Sequence, residues 1–320
     1  MGKILVSASH FDTLCKDAWK LLEENGHEVI FDGSREFPAY SEEELLSIIG
    51  QIDAALIGMD VFDEKILKAA PDLKAVAKFG VGVDNIDGEA AKRYGIKVLN
   101  APGQNSNAVA ELAVGLILDL LRKVVPLHNE VEKGRWPRNI GSELKGKTVG
   151  LLGFGAIARL VARKLAAFDV RLIACDLFPN WAAAEELGVR LTTQEEVITQ
   201  SDVLSIHIPA TRETQNMFND EMFLKMKKGA YIVNTARGAL IDTDALIRAL
   251  KKGHLAGVGL DAFVPEPLPA DSELFECDNV VLTPHTGSET AEAYYNVSMT
   301  TCKDIIAVLA GREPVHWTNR

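Results

Sequence analysis

The segment Thr148-Val149-Gly150-Leu151-Leu152-Gly153-Phe154-Gly155-Ala156-Ile157-Ala158 decides the fold of the second half of this chain. Val149–Leu152 has the length and composition of a buried strand, and a helical pattern runs from Ala156 to about Phe168. Between them Gly153 permits a tight turn, Gly155 lets the backbone approach a pyrophosphate, and Ala158 sits where helix and strand pack closely. Amides around Ala156 and Ile157 are then placed to bind phosphate oxygens, assisted by the helix dipole. The next strand ends at Cys175-Asp176, 21 residues after Gly155. An acid there can accept hydrogen bonds from both ribose hydroxyls of NAD and repel the 2′-phosphate of NADP. Leu177-Phe178-Pro179-Asn180 supplies no arginine to offset that repulsion. A glycine triplet alone is weak evidence, because turns are rich in glycine; the strand before it and the helix after it give it weight.

Outward from this turn the same alternation continues. Val149–Leu152, Arg171–Ala174, Val203–Ile206, Tyr231–Val233, Val258–Leu260 and Val280–Leu282 read as six strands with helices between them, a doubly wound sheet of Rossmann type. Upstream, Ile4–Val6, Val29–Phe31, Ala54–Ile57, Ala75–Ala77 and Lys97–Leu99 form a second βα series, which predicts a flavodoxin-like parallel sheet. Ser41-Glu-Glu-Glu44 is a capping box, and Gly26 and Pro71 stop the helical patterns they follow. The fold class is α/β, with two doubly wound parallel sheets. Residues 106–124 predict a helix apolar on nearly all sides, placed at a joint between domains, a subunit interface or both. Residues 288–311 predict one long terminal helix.

Composition narrows the classes. The chain has 320 residues, 47% hydrophobic and 25% charged, enough for two globular domains. A net charge of −11 without a basic block argues against nucleic-acid binding. Cys15, Cys175, Cys277 and Cys302 are scattered, which suits a reduced, cytoplasmic chain. The N-terminal apolar run is too short for a signal peptide, no run is long enough to span a membrane, and no ligand spacing predicts a metal.

Three polar residues stand in phrases that suit one pocket: Arg237 in Asn234-Thr-Ala-Arg-Gly238, Glu266 in Asp261-Ala-Phe-Val-Pro-Glu-Pro267, and His285 in Leu282-Thr-Pro-His-Thr-Gly287. A cation, a carboxylate and an imidazole can hold a 2-keto acid and protonate its carbonyl. Each alone has a plainer reading: a helix-cap cation, a solvated loop acid, a strand-end histidine.

With Phe79-Gly-Val-Gly-Val-Asp-Asn-Ile-Asp87, Gly103-Gln-Asn-Ser-Asn-Ala-Val-Ala-Glu111 and Asp202-Val-Leu-Ser-Ile-His-Ile-Pro209, these phrases make the chain resemble the D-isomer-specific 2-hydroxyacid dehydrogenases over nearly its whole length. The resemblance implies a discontinuous substrate-binding domain, residues 1–100 and 288–320, with an NAD-binding domain, 101–287, inserted and the active site in the cleft. It implies a homodimer through the NAD-binding domain. It makes His285 the proton donor and acceptor, with Glu266 favouring its charged form. Arg237 and the amides of Val81 and Gly82 become the carboxylate ligands. Thr235, Ala236, Asp261, His207, Pro209 and Thr214, with His285 and Gly287, match positions that line the cofactor in relatives. Asp261 would meet the nicotinamide amide, and His207 reads equally well as a core histidine.

The expected substrate is a small 2-keto acid such as glyoxylate or hydroxypyruvate. Relatives that oxidise formate carry glutamine in place of Glu266. Phosphoglycerate dehydrogenases of the family commonly place arginine where this chain has Met59-Asp60-Val61-Phe62, so phosphoglycerate stays as an alternative. There Asp60 would repel a phosphate, and Met59, Val61 and Phe62 would suit an apolar tail. An NAD(H)-sensing regulator of the corepressor type is the alternative from another class.

Overall fold

The computed structural model describes residues 2–35 and 39–320. The chain divides into two compact units, Met1–Asn105 with Ser288–Arg320, and Ser106–Gly287.

The first unit is built on β1 (Lys3–Val6), β2 (Glu28–Phe31), β3 (Ala54–Ile57), β4 (Ala75–Lys78) and β5 (Lys97–Leu99). They pair in parallel in the order β2-β1-β3-β4-β5, the flavodoxin-like arrangement. Both faces are covered, so the strands read as unbroken apolar runs and alternate residues feed opposite cores. Leu5, Ala55, Ile57, Val76 and Val98 pack with Leu45 and Ile66 on one face. Ile4, Val6, Leu56, Ala77 and Leu99 pack with Phe11, Leu22 and Ile305 on the other. Ile305 belongs to the Ala291–Leu309 helix, which the Thr290 hydroxyl caps by accepting the Ala293 N–H. The Ser41 capping box is present, with Ser41 and Glu44 each accepting from the other's N–H.

The second unit contains β6 (Thr148–Leu152), β7 (Arg171–Cys175), β8 (Val189–Leu191), β9 (Val203–Ile206), β10 (Ala230–Asn234), β11 (Leu255–Leu260) and β12 (Val280–Leu282). Its parallel order is β12-β11-β10-β9-β6-β7-β8, a Rossmann sheet with one further strand beyond the usual six. The six strands expected are all here, and β8 is a seventh that the sequence pattern does not announce. It has three residues, lies at the sheet edge, and exposes Arg190 at its centre, so neither apolar length nor alternation marks it.

The apolar helix spans Ser106–Arg122, shorter than expected because Lys123 takes a left-handed conformation (φ 56°) and a separate helix, Val124–Glu132, follows. Its buried face, including Ala113, Leu116, Ile117 and Leu120, joins Val149, Leu151, Val161 and Val281 in one core of its own unit. Leu112, Val114 and Leu118 are only half-buried against that core. Gly115 is exposed. The apolar side therefore finds cover inside the second unit. No helix among the described residues is long and apolar enough to cross a membrane.

Candidate active site

The glycine turn leaves β6 at its carboxyl end, where the chain order reverses between β6 and β9. Gly153 adopts φ 91°, and a Cβ there would lie 2.7 Å from the His207 carbonyl oxygen, so a side chain is excluded on two counts. The Gly153 N–H donates to the Cys175 carbonyl (2.9 Å) and the His207 N–H to the Leu152 carbonyl (2.7 Å), which fixes the turn between its two neighbouring strands. The Ala156–Leu165 helix then begins at Gly155 with no side-chain cap and no acid in its first turn. Its first N–H groups have no acceptor within the helix, so this end presents donors and the positive end of the dipole.

Asp176 follows β7, and its carboxylate accepts the Phe154 N–H (2.6 Å) and the Phe178 N–H (2.8 Å). It thus stands beside the glycine turn, with acceptor capacity remaining on both oxygens. Across the turn, His207 Nε2 lies 2.9 Å from Ser205 Oγ, and burial pushes the imidazole down to about 4. Thr214 Oγ1 donates to the Pro209 carbonyl (2.9 Å) and accepts the Thr211 N–H (2.8 Å), closing a short exposed loop. The Thr235 hydroxyl is buried without a hydrogen-bond partner in the described structure. A glycine cradle, an uncapped helix start, an adjacent carboxylate and an orphaned hydroxyl fit a dinucleotide.

Three strand ends deliver the other polar groups. At the end of β10, Asn234 is fully buried; its side chain accepts the Ala236 N–H (3.0 Å) and donates to the Arg237 carbonyl (2.9 Å). This clasp turns Thr235–Arg237 sharply across the strand end. A Cβ at Gly238 would lie 2.2 Å from the Phe263 carbonyl carbon, so only glycine lets the Arg237 turn meet the loop after β11. On that loop Glu266 Oε1 accepts the Phe263 N–H at 2.9 Å. Glu266 Oε2 lies 2.8 Å from His285 Nδ1, on the loop after β12. Burial acts to raise the Glu266 carboxyl, but the hydrogen bonds from His285 and the Phe263 N–H, with the charges of His285 and Arg237, outweigh it and hold the group below the ordinary carboxylate value. With Nδ1 engaged by Glu266, Nε2 is the ring nitrogen left for a substrate, and the His285 side chain is 43% exposed.

Asp261 supports the loop that carries His285. It is 2% exposed, and Oδ1 accepts from Thr283 Oγ1 (2.6 Å) and the Thr286 N–H (2.8 Å), while Oδ2 accepts the Gly287 N–H (2.8 Å). The carboxylate is thereby committed to the loop that carries His285, itself in a left-handed conformation (φ 55°). Asn234, Thr283 and Thr286 support the site and were not singled out from sequence; Asn234 could have been, as a buried amide at a strand end.

In the first unit, Val81 follows β4 in an exposed loop whose shape is set by neighbours. Asn100 Nδ2 donates to the Val81 carbonyl (2.8 Å), and the Ala101 N–H to the Gly80 carbonyl (2.8 Å). Lys78 Nζ donates to the Gly58 carbonyl and to Asn85 Oδ1. The Met59–Phe62 stretch differs from its expected role. Asp60 is 1% exposed, bonded to Ser7 Oγ and the Tyr40 N–H, and Phe62 is fully buried in the core. Neither side chain faces solvent, because β3 runs directly into this stretch and the sheet's own packing claims alternate residues. Met59 and Val61, at 40% and 59% exposure, remain available.

All four cysteines are free thiols. Among the described residues no group of three or more His, Cys, Asp or Glu side chains could hold a metal ion.

Comparison with known proteins accounts for this architecture. Residues 114–287 match the model of the D-isomer specific 2-hydroxyacid dehydrogenase, NAD binding domain. The glyoxylate reductase of Thermofilum pendens is 41% identical over 301 residues, covering 92% of this chain and 88% of that protein. The D-3-phosphoglycerate dehydrogenase of Archaeoglobus fulgidus is 36% identical over 312 residues, 97% of this chain but 58% of that longer protein. The crystal structure of the TT0316 protein from Thermus thermophilus superposes with a TM-score of 0.90 at 36% identity, covering 99% of each chain. The chain belongs to the D-isomer specific 2-hydroxyacid dehydrogenase family, oxidoreductases that act on CH–OH groups with NAD as cofactor.

Proposed function

We propose that this protein reduces a small 2-keto acid of the glyoxylate or hydroxypyruvate type to its D-2-hydroxy acid. The observation that carries the reading is the pairing of His285 Nδ1 with Glu266 Oε2 at 2.8 Å, which leaves Nε2 for the substrate carbonyl. Residues Gly153, Gly155, Ala156, Ile157 and Asp176, with His207, Pro209, Thr214, Thr235, Ala236 and Gly287, hold the cofactor; bound NADH supplies the hydride. Arg237 holds the substrate carboxylate, since a guanidinium fork suits a planar anion. His285 gives its Nε2 proton to the carbonyl oxygen as charge develops there and recovers it in the reverse direction. Glu266 holds the ring in place and stabilises the imidazolium from which that proton leaves. On this reading Met1–Asn105 with Ser288–Arg320 is the substrate domain and Ser106–Gly287 the cofactor domain.

The phosphoglycerate alternative keeps support from the 36% identity to a D-3-phosphoglycerate dehydrogenase. The sequestration of Asp60 also weakens the argument from phosphate repulsion. Initial rates with NADH and NADPH against glyoxylate, hydroxypyruvate, pyruvate, a branched and an aromatic 2-keto acid, with 3-phosphoglycerate oxidation in reverse, separate these readings. Turnover confined to 3-phosphoglycerate would overturn the preferred one. Tight NADH binding without turnover on any would favour the NAD(H)-sensing regulator.

A homodimer completes the proposal. The Val124–Glu132 helix has no buried residue although it carries Val124, Val125, Leu127 and Val131. Trp136 and Ile140 beyond it are 82% and 90% exposed. A second copy covering this surface would remove it from water. Sedimentation velocity on the parent and on Val131→Asp tests it, a monomeric parent refuting it. Four free thiols suit a reducing compartment such as the cytoplasm.

A further inference from the structure

We propose that Arg159 binds the diphosphate of NAD(H) through its guanidinium. The inference rests on the reading of residues 153–158 as the diphosphate cradle and assigns that cradle its charged side chain. Along Gly153-Phe-Gly-Ala-Ile-Ala158 no side chain can make a charged hydrogen bond, so the turn itself offers a phosphate only backbone N–H groups. Arg159 is the first residue after it that can.

Its geometry is suited to the task. Side chains on a helix lean back toward the N-terminus, and Arg159 sits in the first turn of the Ala156–Leu165 helix. Its Nε donates to the Gly155 carbonyl at 3.2 Å, which holds the guanidinium against the first turn of the helix and leaves the terminal nitrogens of the fork for another acceptor.

The electrostatics point the same way. A cation in the first turn of a helix opposes the helix dipole, and this first turn carries no acid to offset it. The other cations on the helix are paired: Arg163 with Glu186 (3.7 Å), and Lys164 with Glu111 (3.0 Å). Among the described residues no carboxylate pairs with Arg159. A position that is unfavourable for stability in the free chain becomes favourable when a dianionic diphosphate occupies the helix start, because guanidinium and amides then share one anion.

The test is binding without turnover. NADH affinity is measured by fluorescence titration of the parent, Arg159→Gln and Arg159→Lys, with adenosine and ADP-ribose as competitors; thermal melts check that each variant is folded. Arg159→Gln should weaken NADH and ADP-ribose by about tenfold or more, as expected for a charge-assisted hydrogen bond. Adenosine, which lacks the diphosphate, should bind as before, and Arg159→Lys should recover part of the loss. Unchanged affinity for NADH and ADP-ribose overturns the proposal, as does an equal loss for adenosine. Asp176→Ala is titrated alongside. If it weakens NADH while Arg159→Gln does not, the cofactor site stands and the role of Arg159 falls; if neither variant weakens NADH, both fall.

Discussion

The Asp261 carboxylate accepts the Gly287 N–H at 2.8 Å and so ties the end of β11 to the loop that presents His285. The same carboxylate takes Thr283 Oγ1 and the Thr286 N–H on its other oxygen, so both flanks of His285 hang from one buried acid. A left-handed residue between two such anchors is held in one conformation, which is what a proton donor needs.

Asp261→Asn places an NH2 group against a donor whichever way the amide is turned. The expected cost is about 1–3 kcal/mol for a buried donor left unsatisfied, which calorimetry reads as a melting temperature several degrees lower. Turnover should fall by about tenfold or more as the loop loosens. If NADH affinity falls while turnover of the saturated enzyme and thermal stability hold, Asp261 serves the nicotinamide instead.

His285→Ala removes the proposed proton donor without touching the glycine turn. Turnover should drop by about 10²–10⁴-fold, with NADH binding close to the parent's. Steady-state rates and a fluorescence titration decide it, and intact turnover removes the imidazole from the mechanism.

Asp176→Ala frees the Phe154 and Phe178 N–H groups and deletes the charge proposed to meet the ribose. NADH should bind about tenfold more weakly, and the preference over NADPH should narrow. An unchanged ratio of the two cofactors' kcat/KM would place the ribose elsewhere.

His207 gives the protein a pH dependence of known sign. Burial lowers its folded pKa from 6.5 to about 4, so between those values the unfolded chain binds more protons than the folded one. Stability at this site is full above 6.5, declines as pH falls towards 4, and is constant below. Denaturant titrations across that window should show the slope shrinking in His207→Gln. The same slope in both proteins would assign it to other groups.

Much of the fold was legible because its signals are local. The glycine turn at 153–158, the Ser41–Glu44 box and eleven of the strands rest on residues within a few positions of one another. β8 was not, because a three-residue edge strand with a central arginine borrows its stability from β7 rather than from its own apolar side chains. The Ser106–Arg122 helix was legible as buried, but its partners were not: which surface covers an apolar helix depends on where the sheet lies. Asp60 illustrates the same point, being a surface-type residue by composition and a buried acceptor in the folded chain.

The sequence by itself determined the α/β class, the glycine turn and the identity of the residues able to do acid–base and carboxylate chemistry, since sterics and side-chain type suffice for those. The family resemblance already implied that Glu266 acts on His285; only the tertiary structure supplied the geometry of that pair and the tie from Asp261 to the His285 loop. Glu266 meets His285 across 19 residues, and Asp261 meets Gly287 across 26. The physical reason is that parallel strands return their carboxyl ends to one edge of the sheet, so groups far apart in the chain become neighbours through strand order rather than through spacing.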